Sequence, residues 1–374
     1  MWTNRYSGTG KNYDEPQALA LDANGDVYVI GSSWTGSVYS YALIKYSNSG
    51  VALWTNLFGR LPSYIRASAA IATDTNGNVI ATGTSMANGW DDYETVKYSS
   101  TGVPSWTNHY NGPGNFFDTP VGVAVDGSGN VFVTGVSDGT GTDPDFATVA
   151  YSATGVPLWT NRYDGPGDDV DRPKAIAVNH RGEVFVAGDS RHVSGAGLNY
   201  TTLAYSSAGL PLWTNFYIGG MGDDEVTAMT IDDNENVIVT GSSVGSGTDY
   251  DYATVAYSRM GVPLWTNRYD GPSCSADFAA AIAVARNSDV FVTGSSFGGD
   301  SNLDFVTIKY SIARPVALEI QSLNGQAVLT WTNAAFGLQS APTITGTFTN
   351  LPTATSPYTN PITGGQQFFR LISN

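Results

Sequence analysis

The phrase Trp-Thr-Asn recurs along this chain and constrains its fold more than any other feature. Around each copy a longer phrase repeats, most completely between Tyr151 and Tyr163. A repeat at a fixed period of about 50 residues predicts an array of structural units, each too small to bury its own apolar face. The copies begin, at intervals of 52 to 54 residues, at Trp2, Trp54, Trp106, Trp159, Trp213 and Trp265.

Each repeat contains four strand signals separated by turn residues, and helical periodicity is absent. In the fourth repeat these signals, named A to D, are Ala175–Val178, Glu183–Ala187, Tyr200–Tyr205 and Pro211–Trp213. Four short antiparallel strands per repeat predict a blade of a β-propeller. The tryptophan of the phrase and a recurring tyrosine are expected to fill the wedge between blades. That tyrosine is found at Tyr46, Tyr98, Tyr151, Tyr205, Tyr257 and Tyr310.

The count of strands predicts how the propeller closes. Strands A, B and C each occur six times, but no Trp-Thr-Asn follows the last C strand, Phe305–Tyr310. The missing D phrase opens the chain at Met1–Tyr6. We therefore predict an all-β fold in which residues 1–314 form a six-bladed β-propeller closed by the N-terminal strand, because closure removes open sheet edges. The alternative is that Val316–Leu318, which resembles Val51–Leu53, takes the same place.

The composition shifts after Arg314-Pro315, which predicts a second, smaller domain over residues 315–374. Asn324-Gly325 lies between two apolar runs, Leu318–Leu323 and Ala327–Thr332, and this is the sequence signal of a tight β-hairpin. Further short strands follow between turns rich in Thr, Pro and Asn. We predict a small β-sandwich-like module.

The charge of the chain excludes several classes of partner. The formal net charge is −16, so the surface repels nucleic acid and anionic lipid headgroups. No apolar run is long enough to insert into a membrane. The single cysteine, Cys274, allows no intrachain disulfide. Cations and neutral polyols remain as ligands, and we expect a monomer.

Two stretches resemble known families. Asp118–Gly135 and Asp171–Gly188 resemble the bacterial SBBP β-propeller repeat and the related NHL repeat, and the tail Leu329–Leu371 resembles C-terminal modules of secreted Planctomycetes–Verrucomicrobia proteins. Both resemblances imply export and neither implies a reaction. Met1 is followed at once by the repeat phrase, so the chain is either cytoplasmic or has lost a leader. The resemblance favours the second reading, and we expect an extracellular, periplasmic or cell-surface location.

An aspartate precedes strand A in five of the six blades, where the second blade has Arg66. In a propeller the D–A and B–C loops share one face, so these carboxylates should surround one mouth of the central channel. There they would raise each other's pKa and attract a cation or a ligand. The alternative is that each one accepts hydrogen bonds from backbone amides of its own loop. The five residues are Asp14, Asp118, Asp171, Asp224 and Asp277.

The same face is predicted to be aromatic on one side and acidic on the other. Trp34 and Trp90 lie outside the repeat phrase, in B–C loops of adjacent blades. The D–A loops of blades one to three add Tyr13, Tyr64, Phe116 and Phe117, whereas those of blades four and five carry Asp168, Asp169, Asp223 and Glu225. Aromatic platforms stack on sugar rings or hold apolar anchors. We predict a site for a neutral glycan or a protein segment with a basic residue; the alternative is that the aromatics cover loop backbone.

Chemistry beyond binding has weaker support. Asp143 with Asp145, and Asp249 with Asp251, are candidate calcium ligands, and no other cofactor is predicted. His109 and His180 are placed away from the shared mouth, which leaves only His192 for a metal or nucleophile site. The function predicted is an exported, non-catalytic binding scaffold. The alternative is a propeller enzyme that acts on a polysaccharide through acidic residues of the same face.

Overall fold

A computed structural model describes most of the chain and divides it into two compact units, Met1–Tyr310 and Ser311–Asn374. The division comes four residues before the expected boundary at residue 314. The described residues are 1–9, 13–61, 68–86, 89–140, 143–167, 169–191, 197–220, 222–245, 249–298, 302–311, 318–331, 336–362 and 366–373.

Unit 1 is built from antiparallel sheets and contains no helix among its described residues. Five sheets have four strands in chain order, and the sixth has three. The first sheet consists of β1 (Asp14–Leu21), β2 (Val27–Trp34), β3 (Tyr39–Tyr46) and β4 (Ala52–Leu61). The second consists of β5 (Ala69–Thr73), β6 (Val79–Met86), β7 (Asp91–Tyr98) and β8 (Pro104–Tyr110). The third consists of β9 (Asp118–Val125), β10 (Val131–Ser137), β11 (Asp145–Tyr151) and β12 (Pro157–Tyr163).

The second half of unit 1 repeats this pattern. The fourth sheet consists of β13 (Arg172–Val178), β14 (Val184–Arg191), β15 (Leu198–Tyr205) and β16 (Pro211–Tyr217). The fifth consists of β17 (Asp224–Ile231), β18 (Val237–Val244), β19 (Tyr250–Tyr257) and β20 (Pro263–Tyr269). The sixth consists of β21 (Asp277–Val284), β22 (Val290–Phe297) and β23 (Leu303–Tyr310).

Successive sheets pack face to face, with their first strands side by side. The middle strands are therefore covered on both faces, which explains why β10, β14 and β18 are apolar without alternation, and why every residue of β11 is buried. The predicted all-β class and the four-stranded antiparallel sheets are confirmed. This strand order and this packing fit a β-propeller.

The Trp-Thr-Asn phrase joins each of the first four sheets to the next. The Trp106 indole Nε1 donates to the carbonyl oxygen of Ala153 in the following sheet at 3.2 Å, and Asn108 Nδ2 donates to the Gly155 oxygen at 2.8 Å. Gly155 has a φ of 85°, and a Cβ there would lie 2.6 Å from the Trp106 ring, so only glycine fits. We call this arrangement the latch. The same pair of hydrogen bonds is made by Trp2 with Asn4, Trp54 with Asn56, Trp159 with Asn161 and Trp213 with Asn215.

The end of unit 1 differs from the sequence-based expectation. Among the described residues the sixth sheet has only β21, β22 and β23, and Met1–Ser7 form no strand. This segment instead lies against the first sheet, because Trp2 and Asn4 make the latch bonds to Asn48 and Gly50. The predicted pairing of Met1–Tyr6 with Phe305–Tyr310 is absent from the sheets of the described residues. The alternative, Val316–Leu318, falls mostly on residues 312–317, outside the described part of the chain.

Unit 2 contains two three-stranded antiparallel sheets. One consists of β24 (Glu319–Leu323), β25 (Gln326–Thr330) and β28 (Tyr358–Pro361), and the other of β26 (Phe336–Ala341), β27 (Thr349–Leu351) and β29 (Phe368–Ser373). Asn324 and Gly325 have φ values of 51° and 75°, as the predicted hairpin requires. Leu329, Trp331 and Leu338 form its buried core. No helix of the described residues, in either unit, has the length and apolarity needed to cross a membrane.

Candidate functional site

The D–A and B–C loops contact each other, as predicted, and form one face of unit 1. In the third sheet the Asp138 amide donates to the Phe117 carbonyl at 3.2 Å, and the Gly114 amide donates to the Asp138 carbonyl at 3.1 Å. In the fifth sheet the Val244 amide donates to the Asp223 carbonyl at 3.4 Å. We call this surface the loop face.

The five aspartates that precede strand A are bound to their own loops. Asp118 Oδ2 accepts from the Gly112 amide at 2.6 Å, and Asp277 Oδ2 accepts from the Gly271 amide at the same distance. Asp14, Asp171 and Asp224 make the equivalent bond, to Gly8, Gly165 and Gly219. All except the half-buried Asp14 are at most 1% exposed. This geometry is that of the loop-capping alternative, and it does not present a ring of free carboxylates to solvent.

Burial, more than mutual repulsion, sets the protonation of these groups. It raises the pKa of Asp118 and Asp224, and that of Asp171 to about 6, while hydrogen bonds from the loop amides act in the opposite direction. The raised pKa of Asp171 therefore follows from its burial, since the residue is only 1% exposed.

Three of the predicted aromatic residues form one exposed cluster. Trp90 stacks on Phe116 with ring centroids 3.9 Å apart and planes inclined by 28°, and Phe117 meets both rings edge-on at 5.0 Å. The side chains remain 39%, 42% and 45% exposed, respectively. The Phe117 amide donates to Asp138 Oδ2 at 3.1 Å, which fixes the loop that carries both phenylalanines. We call these three residues the aromatic cluster.

The other predicted aromatics lie elsewhere. Trp34 is half-buried, packs edge-on against Tyr39 at 4.9 Å and contacts the core between the first two sheets, so it covers protein rather than facing a ligand. Tyr13 is 71% exposed and lines a cavity on the first sheet. Tyr64 lies outside the described residues, as do Arg66, Asp168 and His192.

Two predicted residues on the acidic side of the loop face have partners in unit 1, whereas Glu225 is exposed. Asp169 forms an ion pair with Arg191 at 2.8 Å, and Asp223 Oδ1 accepts from the Leu198 amide at 2.7 Å. Of the two other histidines, His180 contacts Glu235 at 3.0 Å on an A–B turn, and His109 lies in β8 near the carboxyl of Asp92. The groups of metal-ligating side chains among the described residues consist of aspartates and include no histidine.

The two residues of each candidate calcium pair have different environments in the structure. Asp145 pairs with Arg162 at 2.9 Å and Asp251 with Arg268 at 2.7 Å, whereas Asp143 is exposed and Asp249 Oδ1 accepts from the Tyr250 amide. Two other acidic trios do place carboxylate oxygens within 4.8 Å of one another. In each trio one member already pairs with an arginine, and that guanidinium supplies the positive charge a cation would bring. The trios are Asp145 with Asp164 and Asp171, and Asp251 with Asp270 and Asp277.

Arg162 and Arg268 were not singled out by the sequence-based prediction. Arg162 donates to Ser137 and to Asp145, and Arg268 makes the same contacts with Ser243 and Asp251. A signal for these arginines was present in the sequence: both directly follow Trp-Thr-Asn, whereas the other internal repeats have Leu, His or Phe at that position.

Comparison with known proteins leaves the family of the chain open. No protein-family model matches it, and no curated protein is significantly similar to it. Among solved structures, a polysaccharide lyase, Uly1, aligns with a TM-score of 0.48 at 12% identity, over 100% of this chain and 93% of that one. A structure of the eukaryotic initiation factor aligns with a TM-score of 0.40 at 10% identity, over 68% of this chain and 55% of that one.

Proposed function

We propose that this protein is an exported, non-catalytic binding scaffold, a propeller of six blades that holds a neutral glycan on its loop face. The observation that carries the proposal is the aromatic cluster of Trp90, Phe116 and Phe117, which is exposed and held in place by its own loop. A preassembled stack of rings offers a flat apolar surface without an ordering cost on binding. Export rests on the resemblance of the repeats and of the tail to secreted bacterial proteins.

Charge favours a neutral ligand over an acidic one. The net charge of −16 repels uronic and sulfated sugars, the aspartates before strand A are bonded to loop amides, and Asp169 is paired with Arg191. These bonds also leave the polysaccharide-cleaving alternative without a solvent-accessible carboxylate pair among Asp118, Asp171, Asp224 and Asp277.

The proposal is tested by screening the purified protein on an array of neutral glycans and then measuring affinity by calorimetry for Trp90→Ala. We expect at least a tenfold loss of affinity, equivalent to about 1.4 kcal/mol, because the largest ring of the stack is removed. Tyr13→Ala is the matched control, since it removes an exposed aromatic side chain from another loop of the same face and should leave affinity unchanged. Absence of binding to every neutral glycan, or full affinity in Trp90→Ala, refutes the proposal.

A further inference from the structure

Unit 2 contains a cavity beside its buried core. Leu329 of β25 and Leu338 of β26 belong to that core. Two positions away on the same strands, and therefore on the same strand faces, are Ala327 and Ser340. Both line a cavity of about 370 Å³. Because alanine and serine are much smaller than leucine, the two sheets leave this space open next to a core that the leucines fill.

Strand pairing places a wall of the cavity on each sheet of unit 2. Ser340 is opposite Thr349 of β27 and Phe369 of β29. Ala327 is opposite Asn360 of β28 on the other sheet. All five residues line the cavity. The register of the two sheets therefore builds this space, and it holds these side chains in fixed relative positions.

The Ser340 side chain brings a buried polar group to the cavity. Ser340 is only 8% exposed, and its hydroxyl makes no hydrogen bond among the described residues, although its carbonyl oxygen accepts from Thr349 Oγ1 at 3.4 Å. Its neighbour Gln339 points to the opposite face of β26, where it bonds to Asn350 and Arg370. A buried hydroxyl without a partner destabilises a fold. A ligand that bonded to Ser340 would remove this cost.

Amide side chains supply further hydrogen-bonding groups at the same cavity. Asn360 Nδ2 donates to Gln367 Oε1 at 2.8 Å, which leaves Asn360 Oδ1 as an acceptor and Gln367 Nε2 as a donor. Gln366 also lines the cavity, is exposed and has no side-chain partner among the described residues. Amides and a hydroxyl together match a ligand whose own groups both donate and accept.

The lining of the cavity also defines the charge of a ligand. It includes no Asp, Glu, Lys, Arg or His, so a charged ligand would lose hydration without gaining an ionic partner. Phe369, Pro342 and Ile362 add apolar surface, which suits the C–H face of a sugar ring. The volume lies near the lower end of the range for small-molecule sites, about 300 to 1,000 Å³. A short neutral sugar combines these properties.

We infer that the cavity between the two sheets of unit 2 binds a neutral sugar of one or two rings. The Ser340 hydroxyl and the amides of Asn360 and Gln366 bond to the sugar hydroxyls, and Phe369 contacts its apolar face. The inference goes beyond the proposed function and does not depend on it, because none of these residues belongs to the loop face. A chain with both sites would hold a glycan through either unit.

The inference is tested on the full chain carrying Trp90→Ala, which removes the main ring of the loop-face site. Saturation-transfer NMR and calorimetry are run with the methyl glycosides of glucose, galactose and mannose, with cellobiose and with lactose. At least one should bind with a Kd on the order of 1 mM or tighter, and glucuronate should not bind. Adding Ser340→Ala should weaken binding about three- to tenfold, and adding Gln366→Ala about threefold.

Ser322→Ala is the matched control, since it removes an exposed hydroxyl from β24 of the same unit and should leave affinity unchanged. Ser340→Ala should keep or raise the Tm of the sugar-free protein, because the hydroxyl that it deletes has no protein partner. A lower Tm counts against the inference, since the hydroxyl is then bonded within the protein.

Two results overturn the inference. One is that none of the five neutral sugars binds to Trp90→Ala. The other is that the sugar which binds keeps full affinity in both Ser340→Ala and Gln366→Ala. Both results concern unit 2 alone, whereas the proposed function is judged by the loss that Trp90→Ala itself causes, so the two failures are distinguishable.

Discussion

The third and sixth sheets have closely similar sequences and very different environments. Their C strands read Asp145-Phe-Ala-Thr-Val-Ala-Tyr151 and Asp304-Phe-Val-Thr-Ile-Lys-Tyr310. Every residue of β11 is buried, whereas β23 is exposed or half-buried throughout. Phe146 is 1% exposed and Phe305 is 97% exposed. Burial in this fold is therefore a property of the junction between two sheets and not of the strand.

The difference is what a repeat array with nearest-neighbour packing predicts. Each sheet is stabilised by its own hydrogen bonds and by its contacts with the sheets on either side. A sheet that lacks one neighbour keeps its own hydrogen bonds and loses part of the stabilisation from contacts with neighbouring sheets. Substitutions at equivalent positions should therefore have unequal effects, and three measurements test this.

The largest expected effect is at Phe146. Phe146→Ala should lower the free energy of unfolding by about 3 to 5 kcal/mol, because it removes a ring enclosed between two sheets and leaves a cavity beside Gly188. Urea unfolding followed by tryptophan fluorescence measures the change. A loss below about 1 kcal/mol would mean that an enclosed ring contributes no more than an exposed one, and would remove the basis of the comparison.

A pH-dependent effect is expected next, at the junction between the third and fourth sheets. Burial raises the pKa of Asp171 from 3.8 to about 6, so the native state binds this proton more tightly than the unfolded state. Stability from this group is present below pH 4 and is lost as the pH rises through about 6, by at most about 3 kcal/mol.

The measurement is the free energy of unfolding at pH 5 and at pH 7 for the wild type and for Asp171→Asn. The wild type should lose more stability between the two values, although Asp189, whose pKa burial also raises to about 6, keeps some dependence in the variant. Equal pH dependence in both proteins would show that Asp171 is ionised as readily in the folded as in the unfolded chain.

The smallest expected effect is at the latch. Asn161→Ala removes the bond from Asn161 Nδ2 to the Gly209 carbonyl at 2.7 Å and should lower the free energy of unfolding by about 1 kcal/mol. Asn4→Ala removes the same bond in an exposed N-terminal segment and should cost less than about 0.5 kcal/mol. Thermal unfolding of the two variants measures the contrast. Equal losses would mean that the N-terminal copy is as firmly packed as an internal one.

Local features were predicted well where a turn or a strand depends on its own residues. The four strands of the fourth repeat were placed within a few residues of β13 to β16, and the Asn324-Gly325 hairpin is formed as predicted. Asp22 and Asp74, each in a turn between strands A and B, accept two amides of their own turn. Such contacts span two to four residues, so short sequences are enough to specify them.

The candidate site was predicted only in part, because it depends on which side chains find partners across loops. Trp34 and Trp90 were both predicted to lie in B–C loops, yet Trp34 is the last residue of β2 and packs on Tyr39, while Trp90 precedes β7 and stacks on Phe116 from the next sheet's loop. Asp145 was predicted to be a calcium ligand, but in the structure it pairs with Arg162, which lies 17 residues later in the chain. Nothing in the spacing of the aromatics or of the carboxylates distinguishes these outcomes.

The sequence by itself determined the all-β class and the sheet period set by Trp-Thr-Asn. Those features follow from strand propensity and turn chemistry. Only the tertiary structure decided that the aspartates before strand A cap loop amides, that Trp90 joins Phe116 and Phe117, and that Phe305 is exposed. The aromatic stack and the exposure of Phe305 depend on what lies across a junction, and similar strands are buried or exposed according to that neighbour.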